Sequence, residues 1–509
     1  MAQELFQVNP QFEEIQCKSA LRSLWETMVA EASDAFDVCI IGAGPGGLSA
    51  LSAILEPYSH DHLTTEQAER AATCSGPKQP SVCVVDPEPW LGAWNRRFEE
   101  LGIQWLRSPA MAHPDVFDAW SLMAFARAQG RSAEMQPAGA DQWKAIRGLQ
   151  DVGSGLFGLP SSSLFSDFCA ELSSRLPHTF VRERAAFIEG CDGAFEVRLA
   201  DGRSIKSRSL VLALGFPGPA IVPSAFAGLP ADVAFHTEDC DRLSTLAKGQ
   251  RVLVIGGGLT AVQTAQLAMR KGCHTTLCSR RHLVTRQFDI PLQWFDFRSQ
   301  GHLRHAFWSE PAGGRLAKIR ATRGGGSVPP SYMEQLRAAE AAGQLRVVLG
   351  EVEACSFEGG VVETTLRGQE GAQQFDRVVL ACGHRPGCLE LPLLADLCRR
   401  WPTEIQGGLP VLSEDLQWGG LRQLFVVGAL AGLQVGPDAA NLMGCRRAAH
   451  VVAQTLGLRS WLRQDSQPAS RSISVCGNRY SALESEDSDG ASTDADSDES
   501  DAPASGDSF

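Results

Sequence analysis

Three hydrophobic patterns alternate along the chain. The first is the short, unbroken apolar run of a strand buried on both faces: Asp37–Ile41, Ser81–Val85, Arg251–Ile255, His274–Cys278 and Phe375–Gly383. The second is alternation of apolar and polar positions across 181–215 and again across 344–368, with turns marked by Gly193 and Asp201-Gly202. These predict two β-meanders. The third is helical: small and apolar positions after Gly44 and after Gly258, and CRRAAHVVAQTLG at 445–457. In order, they spell strand, glycine turn, helix, strand, meander and terminal strand, and then the same series again. The terminal strands end alike, VLALG at 211–215 and VLACG at 379–383. The chain reads as an α/β unit duplicated within itself.

Each copy opens on a glycine-rich turn. Gly42, Gly44 and Gly47 have the spacing G-x-G-x-x-G, with Gly46 beside them; Gly256, Gly258 and Ala261 have G-x-G-x-x-A. A strand precedes and a helix follows in both cases. In that setting the first glycine allows the turn and the second lets backbone approach a pyrophosphate. The third lets helix pack close on strand. The helix N-terminus supplies free N–H groups for the phosphates. Residues at the next strand end distinguish the copies. Asp86, suited to ribose hydroxyls, lies about twice the usual ~20 residues from the first turn, and the polar loop 57–80 accounts for the excess. The second copy has Arg280 and Arg281, which suit a ribose 2′-phosphate and favour NADPH, or which form a solvated basic turn. Two dinucleotide units imply two dinucleotides, most simply FAD and the nicotinamide that feeds it hydride.

The expected fold class is therefore α/β: two Rossmann-like dinucleotide-binding domains, the NADPH domain inserted into a discontinuous FAD domain, each with its meander. The expected limits are an N-terminal helical segment 1–35, the first part of the FAD domain at 36–220 and the NADPH domain at 221–371. The second part of the FAD domain is expected at 372–463, and an acidic disordered tail at 464–509. Within the NADPH domain, an aromatic-rich insertion at 284–345 is a candidate substrate-side cap, or equally a packing or dimer element. Residues 87–115, rich in Trp, Gly and Pro, are expected as a structured loop whose aromatics wall a flavin or simply pack.

Charge narrows the picture. The formal net charge is −13, but 481–509 holds ten acidic residues and no Lys or Arg, so the remainder carries only about −3. Nothing invites nucleic acid. The tail is expected to be disordered, a solubilising segment or a site for a protein partner. No apolar run is long enough for a membrane span, and the acidic N-terminus lacks an apolar leader core. Fifteen cysteines scattered through apolar strands suit a reducing, cytoplasmic setting. No C-x-x-C is present, which argues against a flavin–dithiol enzyme.

The order GAGPGG, GAW, VLALG, IGGGLTAVQ, ACGHRP and a final strand-Gly segment resembles the two-dinucleotide flavoproteins. Among these it is most similar to the class B flavin monooxygenases and the lysine/ornithine N-hydroxylases, over roughly 36–455. The resemblance implies FAD on Gly42, Gly44, Gly46 and Gly47 with Asp86 on its ribose, and Gly92 and Trp94 near the ring. It implies NADPH on Gly256, Gly258 and Ala261, with Arg280 and Arg281 on the phosphate. Gly215, Gly383 and Gly428 complete the expected cofactor contacts. Two departures stand out. Ala429 follows Gly428 where the family carries Asp, leaving Asp438 or Asn441 as substitutes. His236 follows Phe226-Ala-Gly228 later than the monooxygenase fingerprint sets it. The implied activity is oxygenation of a small amine or sulfur nucleophile by molecular oxygen through a C4a-hydroperoxyflavin. A peroxide-releasing oxidase or reductase and a non-enzymatic redox-sensing adaptor are the alternatives. His113 and Trp94 are the candidates for a catalytic role beside the flavin.

Overall fold

The four residues Val38–Ile41 are buried on both faces, as the unbroken apolar run requires of a central strand. A computed structural model describes residues 35–56, 79–137, 157–294, 300–367 and 371–456. The expected N-terminal helical segment, nearly all of the 57–80 loop and the acidic tail lie outside those residues. Among the described residues, no helix is long and apolar enough to cross a membrane.

The first sheet contains β1 (Phe36–Ile41), β2 (Val82–Val85), β3 (Thr179–Val181), β4 (Ala185–Cys191), β5 (Ala194–Leu199) and β6 (Ser204–Leu212). Their order is β3-β2-β1-β6-β5-β4, and Leu424–Val426 from far along the chain adds to β6. Strand β6 does two jobs in one run. Its first residues pair antiparallel with the meander strand β5, and Ser207–Leu212 pair parallel with β1. Helix α1 (Pro45–Leu55) follows β1 with nine residues buried. Helix α2 (Gly92–Leu101) falls where a loop was expected. There Trp94 and Phe98, one helical turn apart, stack edge-on at 4.5 Å, and Gly102 ends the helix at φ +61°. Helix α3 (Ser162–Arg175) makes the crossover from β2 to β3 and starts on Ser161, whose Oγ accepts from the Leu164 N–H at 3.0 Å.

The second sheet is wholly parallel. It contains β7 (Ala234–His236), β8 (Arg251–Ile255), β9 (His274–Ser279), β10 (Leu345–Leu349) and, further along the chain, Arg377–Leu380, in the order β10-β9-β8-(377–380)-β7. Helix α4 (Leu259–Arg270) follows β8. A separate antiparallel sheet holds β11 (Val352–Glu358), β12 (Val361–Leu366) and β13 (Gln373–Phe375). The expected return to the first half at 372 is therefore too early, because Arg377–Leu380 lies beside β8 in the second sheet.

The insertion is also shorter than 284–345. Helices α5 (Gln300–Trp308) and α6 (Ala312–Arg323) are extra, but α7 (Pro330–Ala341) packs on α4 and β10 as the ordinary crossover into β10. An apolar period cannot separate an inserted helix from a crossover one. The extra pair rests on the returning segment: Trp308 Nε1 donates to the Gln434 carbonyl at 2.8 Å, and Arg323 Nη1 to that of Pro437 at 2.9 Å.

The two connections between the halves run side by side. The Ile221 N–H donates to the Gly383 carbonyl at 2.9 Å, the Arg385 N–H to Pro219 at 3.1 Å and the Gly387 N–H to Pro217 at 3.2 Å. A side chain at Gly218 would strike the Arg385 carbonyl, so the close approach requires glycine there.

Candidate functional site

The glycine turns show why those positions carry no side chain. Gly42 has φ +115°, and a Cβ there would sit 2.3 Å from the Ala213 carbonyl oxygen; a Cβ on Gly47 would sit 1.9 Å from that of Gly42. The second unit repeats the first contact, with Gly256 at φ +154° and 2.4 Å from the Ala381 oxygen. Backbone bonds repeat too. Gly42 donates to Val85 and Ala213 to Ile41, just as Gly256 donates to Cys278 and Ala381 to Ile255. The second helix stands off enough for the fully buried methyl of Ala261.

Both following helices begin on a bare glycine. Neither Gly44 nor Gly258 gives a side-chain cap, and neither first turn carries an acid. A helix N-terminus left with neither cap nor carboxylate, and opening on a cavity, presents N–H groups and positive dipole to an anion. This donor set fits the pyrophosphates of two dinucleotides.

The strand ends differ as their residues require. Asp86 Oδ2 accepts the Ala43 N–H at 2.7 Å and Oδ1 the Glu88 N–H at 2.8 Å, so the carboxylate braces the glycine turn. In the second unit Ser279 Oγ donates to the Arg281 carbonyl at 2.7 Å. The Arg281 guanidinium donates to the carbonyls of Gly324 and Gly326, at 2.9 and 3.0 Å, which holds the glycine loop against the turn. Arg280 is exposed on the same cavity wall.

One cavity of about 2080 Å³ joins the two turns. Ordinary small-molecule sites are roughly 300–1,000 Å³, so the space suits two large ligands together. Of the expected cofactor residues, Gly44, Gly46, Trp94, Gly215, Gly256, Gly258, Arg280, Arg281, Gly383, Gly428 and Asn441 line it. Gly42, Gly47, Asp86, Gly92 and Ala261 stand behind the wall and shape it. Trp94 lines the cavity while packing on Phe98 and Phe165.

Two sequence candidates move away from the chemistry. His113 is fully buried outside the cavity, edge-on to Phe168 at 5.2 Å, and burial drives its pKa down to about 3, with Arg446 adding to the effect. It is a neutral packing residue. Asp438 also lies behind the wall, paired with Arg447 and 3.8 Å from Arg304, and burial lifts its pKa to about 6. It does not replace the acid missing at Ala429. Asn441 does reach the cavity: it begins helix α8 (Leu442–Thr455), and its Nδ2 donates to Asp289 Oδ1 at 3.0 Å.

Asp289 belongs to a polar group that sequence reasoning missed. Arg323 Nη2 bonds its other oxygen at 2.7 Å. Nearby, half-buried Arg107 donates to the carbonyls of Gln287 and Arg286 at 2.7 and 2.9 Å and to Ser327 Oγ at 2.7 Å; desolvation lowers its pKa to about 10. Partners some 180 residues apart leave no local signal. His236, Glu238 and His384 form another such group on the cavity wall.

The family described as FAD-NAD(P)-binding matches residues 39–217, and the pyridine nucleotide-disulphide oxidoreductase family matches 144–294. A curated relative, the ferredoxin–NAD(+) reductase component of an anthranilate 1,2-dioxygenase system from Burkholderia cepacia, is 29% identical over 202 residues. That alignment takes in 37% of this chain and 46% of the relative, so the chain spans just under half the length of that protein. Among solved structures, the chain is similar to ornithine hydroxylase from Pseudomonas aeruginosa, with a TM-score of 0.59 and 18% identity, over 84% of this chain and 100% of that one. For a cadaverine monooxygenase of Erwinia amylovora bound to FAD the values are 0.61 and 17%, over 86% and 100%. For an ornithine N-hydroxylase of a Kutzneria species they are 0.61 and 16%, over 84% and 100%. The structural likenesses show a shared fold. With the two family matches, they place the chain's resemblance among the two-dinucleotide flavoproteins.

Proposed function

We propose that this chain is an FAD- and NADPH-dependent oxidoreductase, a monooxygenase that oxygenates a small nucleophilic amine or sulfur substrate. The observation that carries the reading is that two bare helix N-termini open into one continuous cavity. When bound, FAD and NADPH would supply hydride transfer and oxygen activation. The chain supplies the geometry. Gly44 and Gly46 would offer backbone to one pyrophosphate and Gly258 to the other, and Arg280 on the same cavity wall would hold the 2′-phosphate. Asp289, fixed between Arg323 and Asn441, gives a cavity-facing carboxylate to hold an ammonium group. The solved relatives whose names specify ornithine and cadaverine act on amines, which supports that class.

Coupling is the test. Purified protein is given NADPH, oxygen and a panel of diamines, amino acids and sulfides, with product and peroxide both counted. One substrate that yields oxygenated product in near-equal amount to NADPH consumed supports a monooxygenase. Peroxide in equal amount to NADPH across the panel points to an oxidase or reductase instead.

A further inference from the structure

The connection between the halves carries a cluster that the cofactors do not account for. His236 ends β7, Glu238 lies two residues on, and His384 sits in the paired crossing segments at 383–387. A ring nitrogen of each histidine and a Glu238 oxygen all lie within 4.8 Å of one another. His384 Nε2 is 2.6 Å from Glu238 Oε2, and His236 Nδ1 is 3.7 Å from Oε1. The rings meet edge-on, with centroids 4.8 Å apart. The buried Nε2 of His236 has no hydrogen-bond partner.

We propose that His236, Glu238 and His384 form a binding site for one divalent transition-metal ion of the zinc type. Two imidazoles and a carboxylate are a zinc donor set, and such sites keep a fourth position for water, here toward the cavity that all three residues line. Around one ion, ligand atoms stand about 3.3 Å apart, given Zn–N and Zn–O distances near 2.0–2.2 Å. Glu238 is 41% exposed by side chain and swings readily, so a small rotation completes the set.

The ion has a competitor. Arg97 of α2 lies 3.7 Å from Glu238 Oε2 and is half exposed. The same carboxylate therefore chooses between tying the end of β7 to α2 and joining it to the crossing segments through a metal.

Titration of the full chain, holding its FAD, with Co²⁺ and then Zn²⁺ tests the site through cobalt absorption and calorimetry, with no reliance on turnover. The expected result is one saturable ion per chain. Glu238→Gln and His384→Asn should each weaken binding at least ~10-fold, since even loss of an outer partner has that effect; Arg97→Ala should tighten it. Retained FAD and unchanged circular dichroism establish that each variant is folded, and Glu238→Gln, at an exposed side chain, is the mildest. Absence of saturable binding overturns the proposal. So does binding that the double variant Glu238→Gln/His384→Asn leaves unchanged, which would assign the ion to cysteines elsewhere.

Discussion

The two nucleotide units of this molecule share a backbone and differ in what stands against it. In both, the first glycine of the turn faces the carbonyl of the alanine just past the end of the neighbouring strand, Ala213 or Ala381. Behind that shared turn, the first unit has Gly47 and Asp86, and the second Ala261, Ser279 and Arg280. The wings differ as well. In the first unit a single strand, β6, serves both meander and parallel sheet. In the second the same run breaks at Asp376, whose carboxylate accepts the Arg251 N–H at 2.7 Å and pairs with its guanidinium at 2.8 Å. The contrast teaches that close backbone approach sets the shared turn, while the side chains at the strand end are where the two units differ.

The largest expected effect breaks the symmetry of the turns. Gly47→Ala places a methyl 1.9 Å from a carbonyl oxygen that cannot move without opening the turn. It should cost about 3 kcal/mol or more and abolish FAD retention, read by thermal unfolding and flavin absorbance. The converse change, Ala261→Gly, removes a methyl that has room and should cost only about 1 kcal/mol.

Next comes the strand end. Arg280→Ala should raise the KM for NADPH ~10–100-fold, as loss of a charge-assisted bond worth about 1.5–3 kcal/mol does, and leave that for NADH nearly unchanged. Equal effects on both coenzymes would return Arg280 to a solvated turn.

A smaller effect concerns stability behind the first sheet. Burial, then the charge of Asp115, pushes the Glu56 carboxyl up to about 8 from an ordinary value of 4.5, with Arg175 offsetting part of the rise. The folded protein keeps that proton when the unfolded chain has released it. The contribution is whole below about pH 4.5 and is lost as pH rises toward 8. Glu56→Gln should flatten the fall in Tm between pH 5 and pH 8. The smallest effect belongs to His113→Asn: Tm should drop by a few degrees, and the pH profile of turnover should not change, as suits a neutral packing residue.

Much of the fold was legible because its signals are local. Gly42 through Leu51 and Gly256 through Leu267 state strand end, turn and helix within a dozen residues, and the repeated V-L-A-x-G runs mark the strands that close each site. What stayed hidden depends on residues far apart in sequence. Nothing near Asp438 announces that it turns toward Arg447 while Asn441 faces the cavity. His113, before a proline in an aromatic stretch, looks like a site residue until its burial against Phe168 is visible. The helix α2 was concealed by its glycine and tryptophan, which read as loop, although Trp94 and Phe98 pack at helical spacing.

The proposed function requires hydride to pass from bound NADPH to bound FAD inside the cavity that both turns line. Anaerobic mixing of the FAD-loaded protein with NADPH, followed by flavin absorbance, tests it most directly. The expected result is rapid bleaching with NADPH, much slower bleaching with NADH at the same concentration, and loss of that preference in Arg280→Ala. A flavin that stays oxidised under saturating NADPH would contradict it.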